Sequence, residues 1–449
     1  MPWFPAIVRF VRAAQLTPAL LWGLAGKLWA GCSAPVTAVV VYSSFSPEIQ
    51  GYHYTFLALL GIQVFFELGL SGVLTTFASH EWARLRLDGQ GRLEGDPEAL
   101  SRLASLARFS LRWFGVCAVA LSLGLAVGGE FLFSARDASR MWAAPFLVLS
   151  ILTGLQLAIL PIWALLTGCN QVAETHSFRL FEGVVRNVVL WAAMGLGAGL
   201  WSAPLSTFAA LVWAVVFLRV RYFRFLDSLR RVKIVEKVRW KEEVLPLQWR
   251  IALTWLSGYF MFSLFTPALF HFQGPVPAGQ MGLTWSLVSG VSGMASLWTQ
   301  TRIPQFGIHV ANRDFSALDR TVVRACLMSL MVASLGGFAV FVAAAALLYR
   351  GHPLSARVIP LLPLGLFLLA EVVHQVPIAE SSYLRAFKKE PFLWLGVSNG
   401  IFVGGASIVC ARHFGPTGVA LAYLGGILLA FGWGSLIFIR RRREWTCCA

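Results

Sequence analysis

The sequence predicts an all-α polytopic membrane protein with twelve transmembrane helices, on three observations. Apolar runs of roughly 20 residues follow one another along the whole chain, each long enough to cross a bilayer as a helix. Only 13% of residues are charged and 57% are hydrophobic, whereas soluble chains carry about 25% charged residues. The Lys and Arg residues collect in alternate connections between the runs. Spans must be helices or closed barrel strands. These runs are too long and too uniformly apolar for barrel strands, which alternate over about ten residues.

In order, the first span covers about Leu20–Phe45 and the second about Tyr54–Ser79, joined by a polar turn at Pro47–Thr55. A polar segment from His80 to Arg108 follows, with turn signals at Asp88–Gly91 and Glu94–Pro97. Spans three to six cover about Trp113–Phe133, Ala144–Thr167, Phe181–Leu200 and Ala203–Leu218. A strongly basic stretch, Arg219 to Lys241, then interrupts the apolar pattern near the midpoint. It is expected to be an amphipathic linker on the membrane surface, facing anionic lipid. Spans seven to twelve cover about Val244–Phe272, Gly282–Ile303, Val322–Tyr349, Val358–Ile378, Phe392–Cys410 and Gly418–Ile439, before the Arg440–Arg443 tail.

The polar turn recurs. Pro47, Gln50, Gly51 and Thr55 are answered loosely by Pro277, Gln280, Gly282 and Thr284, again between two apolar runs. The chain therefore reads as two related halves, 1–226 and 244–449, joined by a basic linker at 227–243.

The formal charge of +16 is spread by topology. Arg9, Arg12, the basic loops and Arg440–Arg443 fall on one face, leaving Arg136, Arg140, Arg350, Arg357 and Arg412 on the other. That bias puts both termini in the cytoplasm and accounts for the charge without nucleic acid. The seven cysteines show no metal-ligand spacing. No P-loop, nucleophile elbow or His-Glu-x-x-His signature is present, so neither an enzyme nor a bound cofactor is expected.

Charged groups at membrane depth are costly and mark candidate sites. They are Lys27, Glu67, Glu182, Arg186, Arg250, Arg302, Glu371 and Glu380. Gln63 lies one turn before Glu67, and Glu371, His374 and Gln375 share a helical face. A Glu-x-x-His face binds metal in di-iron bundles only with a second copy, which is absent, so no metal site is expected. Guanidinium and ammonium groups match phosphate. Lys27, Arg250 and Arg302 are therefore the candidate substrate contacts, with Glu67, Gln63, Glu371, His374 and Gln375 as coupling or cavity groups.

The order of motifs resembles a family. Ser46-Pro-Glu-Ile-Gln-Gly51-Tyr-His-Tyr-Thr, Phe65-Phe-Glu67-Leu-Gly69-Leu, Leu166-Thr-Gly168-Cys-Asn170, Phe315-Ser-Ala-Leu-Asp319-Arg320 and Gly415-Pro-Thr-Gly418-Val-Ala cover nearly the whole chain. Together they look like the polysaccharide (O-antigen-type) flippases of the multidrug/oligosaccharidyl-lipid/polysaccharide exporter superfamily. The resemblance implies two six-helix lobes forming a V around a central cavity. It also implies a place in the bacterial inner membrane and alternating-access transport of a polyprenyl-diphosphate-linked oligosaccharide for lipopolysaccharide or capsule assembly. Membrane lipids, a coupling proton or sodium ion, and polysaccharide assembly proteins are the partners it implies. A cation-coupled exporter of small amphipathic compounds is the alternative. A membrane polymerase or ligase ranks lower, because no outer loop is long.

Overall fold

The computed structural model describes residues 18–134, 140–387 and 389–447. Arg9, Arg12 and Arg136 lie outside the described residues, as does the side chain of Arg250. The helices are α1 (Pro18–Ser44), α2 (Pro47–Glu67), α3 (Leu70–Trp82), α4 (Pro97–Phe133), α5 (Ala143–Gly168), α6 (Val172–Gly195) and α7 (Ser202–Arg221). There follow α8 (Phe223–Arg231), α9 (Leu245–Phe262), α10 (Phe265–Gln273), α11 (Pro275–Gln300), α12 (Ile303–Ala311), α13 (Phe315–Tyr349), α14 (Leu361–Ala386) and α15 (Leu393–Cys447). A short antiparallel hairpin, β1 (Leu85–Leu87) and β2 (Leu93–Gly95), precedes α4.

Twelve crossings result. Gly415, at φ 58°, splits α15 into arms 393–414 and 416–447, and the pairs α2–α3 and α9–α10 are each one broken span. Among the described residues, seven helices are long and apolar enough on their own, and the bent α2–α3 pair passes as well. The weaker crossings are α6, α9–α10 and α11. Helix α6 carries Glu174, Arg179, Glu182 and Arg186, and α11 is rich in Gly, Ser and Thr. An even number of crossings puts both chain ends on one side, here called the terminal end; Phe45, Gly274 and Arg357 lie at the far end.

The stretches expected as polar turns are instead helix starts. Ser46 Oγ accepts the Ile49 N–H (3.3 Å) and Pro47 occupies the first turn, so α2 begins there and carries Gln50 to Thr55 within it. In the second half Gly274, at φ 96°, and Pro275 start α11, which likewise contains Gln280, Gly282 and Thr284. The two helix starts then cross. A Cβ on Gly51 would stand 2.0 Å from Pro275 O, and one on Gly282 would stand 2.2 Å from Tyr54 Cβ. Only glycine permits that approach.

The second span is not continuous, as the sequence reading had it. Leu68 (φ 49°) and Gly69 (φ 66°) are both left-handed and bend α2 from α3 by 47°. Such a break frees carbonyls at membrane depth, which must be satisfied by protein. Gln248 of α9 does so, its Nε2 donating to Leu68 O at 2.6 Å.

The basic stretch 227–243, expected as an amphipathic helix, is helical to Arg231 and again in a π-helical turn from Trp240, but not between them. Helix α8 buries Phe225 and Leu229 and exposes Arg224, Arg230 and Arg231. Residues 232–239 then run without regular structure because α4 supplies their hydrogen bonds. Ser101 Oγ accepts the N–H groups of Val235 (2.8 Å) and Glu236 (2.9 Å), and Ser105 Oγ accepts that of Val238 (3.4 Å). Arg108 donates to Leu229 O, Arg230 O and Val232 O. Arg102 closes the row, with Nε 2.8 Å from Glu81 Oε1 and Nη2 2.8 Å from Glu243 Oε2.

Candidate functional site

Lys27 projects from α1 toward α11 and donates to Gln300 Oε1. Between these two helices, one from each half, lies a cavity of 420 Å³. Ser286, Ser289, Ser296 and Met294 of α11 contribute to its wall, with Ala30 and Gly31 of α1. Small residues create the space: a Cβ on Gly290 or Gly293 would meet nothing within 4 Å. Lys27 is the one charged side chain among the lining residues. The cavity is hydroxyl-rich and cationic, with no carboxylate among the described residues of its wall. Lys27 is exposed, so it offers the cavity a solvent-accessible positive charge, which favours an anion and disfavours a second cation.

The far end of the seam between the halves is closed. Beyond the glycine crossing, Tyr52 of α2, Phe133 of α4 and Phe270 of α10 pack ring on ring at 5.0–5.5 Å. The cavity therefore belongs to the terminal side of the seal.

Other expected site residues are placed as follows. Arg302 caps α12 two residues beyond Gln300; it is exposed, 3.4 Å from Gln305 Oε1, and outside the cavity lining. Glu67 ends α2 at the break, beside Ser71 and within electrostatic reach of Arg179. Gln63 ends the 3-10 turn Gly61–Gln63 just before it, so the two do not follow simple α-helical spacing. Arg186 pairs with Glu182 at 3.0 Å, a local contact within α6. Glu380, on α14, accepts a hydrogen bond from Ser435 at 2.8 Å.

Glu371, His374 and Gln375 do come together, inside the second half rather than in the cavity. Glu371 is 4% exposed and accepts the Tyr423 hydroxyl; His374 Nδ1 stands 3.5 Å from Glu371 Oε2. Gln375 Nε2 donates to Ser292 Oγ at 3.3 Å. Phe262, Phe265, Trp285 and Phe367 surround Tyr423 at 5.5–6.2 Å. The aromatic rings fix Tyr423, and Tyr423 and His374 together hold the buried Glu371 carboxyl.

Sequence reading missed Tyr423, since one tyrosine in an apolar run carries no spacing signal. It also missed His176 and Arg179, because span five was started at Phe181. The helix begins at Val172, and both Lys27 and Arg179 bear electrostatically on His176. The charge-poor run was the cue followed; the longer amphipathic periodicity from Val172 was the one available.

No family model matches the chain, and no curated protein matches it in sequence. Solved structures do. The inward-facing conformation of a multidrug resistance MATE family transporter of the MOP superfamily superposes with a TM-score of 0.59 at 14% identity, over 95% of this chain and 96% of that one. The outward-facing conformation of such a transporter gives 0.58 at 15% identity, over 98% and 99%. A MOP superfamily transporter from Pyrococcus furiosus gives 0.58 at 14% identity, over 95% and 97%. That structure is described as having a binding pocket of reverse polarity that suggests a different function. The likeness establishes the fold: twelve transmembrane helices in two six-helix lobes set as a V.

Proposed function

We propose that the chain is an alternating-access transporter of anionic, lipid-linked cargo, a flippase that carries a polyprenyl-diphosphate-linked oligosaccharide from the inner to the outer leaflet of the bacterial inner membrane. The lobes are 1–226 and 244–449, with the basic linker between them and both termini cytoplasmic. The observation that carries this reading is the cavity between the halves, whose one charged lining residue is Lys27. Ammonium and amide donors at Lys27 and Gln300, with serine hydroxyls beyond, suit a diphosphate. The sealed far end supports loading from the cytoplasmic leaflet. Arg302, at the mouth of the same seam, and Arg250 are the further phosphate contacts proposed.

A second reading is favoured by the multidrug MATE neighbours: export of small amphipathic compounds coupled to a proton or sodium ion. The two separate in reconstituted vesicles. With a fluorescent polyprenyl-diphosphate oligosaccharide, the wild type moves probe between leaflets and Lys27→Gln loses about tenfold or more in rate, the scale of one charged hydrogen bond. Lys27→Arg retains most of it. Gradient-driven efflux of a cationic dye, with the lipid-linked probe immobile, would replace the flippase by the exporter.

A further inference from the structure

The far end holds a second arginine site that the cargo-cavity reading does not use. The connection between α13 and α14 contains a 3-10 turn, Pro353–Arg357, which lies across the helix crossing of the two halves. From it the Arg357 guanidinium reaches into the first half, with Nη2 2.6 Å from Phe45 O and Nη1 3.3 Å from Gln50 Oε1. It also lies 5.6 Å from the centroid of the Tyr42 ring. The turn is anchored in return. Gln50 Nε2 donates to Arg357 O (3.1 Å) and to Gly279 O (2.9 Å), and Gln280 Nε2 donates to Ala356 O (2.9 Å). The Ile359 N–H donates to Thr284 Oγ1 at 3.2 Å. Gln50 and Gln280, the matching glutamines of the two helix starts, thus hold successive carbonyls of one turn.

Every hydrogen-bond acceptor of this guanidinium given above is a neutral oxygen. No carboxylate lies within ion-pair distance of Arg357 among the described residues. A half-buried cation held only by neutral acceptors keeps its attraction for an anion, since charge-assisted bonds are roughly twice as strong as neutral ones. We infer that Arg357 is an anion-releasable bolt. It locks the far end to Phe45 and Gln50 in the sealed state, and it gives up those oxygens to a phosphate-type anion as the far end opens. The inference rests on the alternating-access reading for its two end states, and not on the identity of the cargo.

The test reads conformation rather than transport, so its failure is distinguishable from failure of the flippase reading. Bioorthogonal spin labels at Leu196 and Tyr349, 87% and 94% exposed at the far end of each half, report the opening of that end in lipid nanodiscs. The wild type is expected to show mainly the shorter distance. Arg357→Gln should raise the ratio of long- to short-distance populations about tenfold, and Arg357→Lys by less. Millimolar pyrophosphate should lengthen the distance in the wild type and not in Arg357→Gln. Gln280→Leu, which removes the second anchor and leaves Arg357 intact, should shift the populations in the same direction and keeps the test decisive where Arg357→Gln does not fold. A folded Arg357→Gln with wild-type distances overturns the bolt. Pyrophosphate acting equally on both proteins places the anion elsewhere and overturns its release at Arg357.

Discussion

At Glu371 one carboxylate faces Tyr423 and His374 at membrane depth, and two roles compete for it. A coupling acid exchanges a proton or sodium ion as the lobes rock; a structural acid anchors the Tyr423 hydroxyl. Glu371→Gln keeps the shape and an acceptor for that hydroxyl while removing the charge. If the acid couples, the variant inserts and folds with wild-type thermal stability but loses the dependence of transport on an imposed ion gradient. If it is structural, stability falls by about 1–3 kcal/mol, since a buried hydrogen bond is weakened or stranded. Vesicle assays with and without a gradient, beside a thermal scan, separate the two. Which acid pairs with which group was only partly legible in the sequence. The i, i+3, i+4 spacing put Glu371, His374 and Gln375 on one face. No local pattern announced Tyr423, which arrives from 52 residues away. Glu67 illustrates the opposite failure: its spacing from Gln63 assumed an unbroken α-helix, and the chain departs from one there.

Among elements, the segment between the halves behaves as a clasp. Its backbone donors and acceptors are taken by a row of α4 side chains, Ser101, Ser105 and Arg108, with Arg102 joining Glu81 to Glu243. The Arg239 N–H and then Arg102 hold the Glu243 carboxyl below its usual range, and Glu81 and Glu243 push the Arg102 guanidinium further up. Because the folded value of Glu243 is depressed, its contribution is present above the ordinary value of 4.5 and is lost as pH falls below it. Amide protection of residues 232–239, corrected for intrinsic exchange, should stay level from about pH 8 to 5 and decline below about 4. Glu243→Gln should lack that decline. A wild-type loss centred near pH 6.5 would instead implicate a histidine. The composition of this stretch announced its charge and surface position, but not that serines on a neighbouring helix would replace its own helical hydrogen bonds.

For the whole molecule, twelve crossings put both ends on one side, and the one-sided distribution of Lys and Arg in the sequence makes the cytoplasm the expected side. A reporter active only outside the cytoplasm should be active when fused after Leu200 and inactive when fused after residue 449; equal activity at both points would refute the arrangement. The span count was legible because lipid demands long apolar runs of every crossing, whichever neighbours it meets. The internal breaks were less so. Leu68–Gly69 and the Phe262–Phe265 join sit inside apolar sequence, and only the partner that satisfies the freed backbone, Gln248 in the first case, makes such a break tolerable.

The glycine crossing at the far end bears on how tightly this membrane holds its ion gradients. Side chains exchange rotamers within picoseconds to nanoseconds, and a plug made of them opens transient paths for water and protons. Here Gly51 and Gly279 bring helix main chain against main chain of the other half, where no χ angle exists to fluctuate. Ion leakage through this part of the seal then requires the helices themselves to separate, a collective motion of microseconds or longer. On the alternating-access reading, conductance is thereby tied to the opening of the far end rather than to thermal side-chain motion.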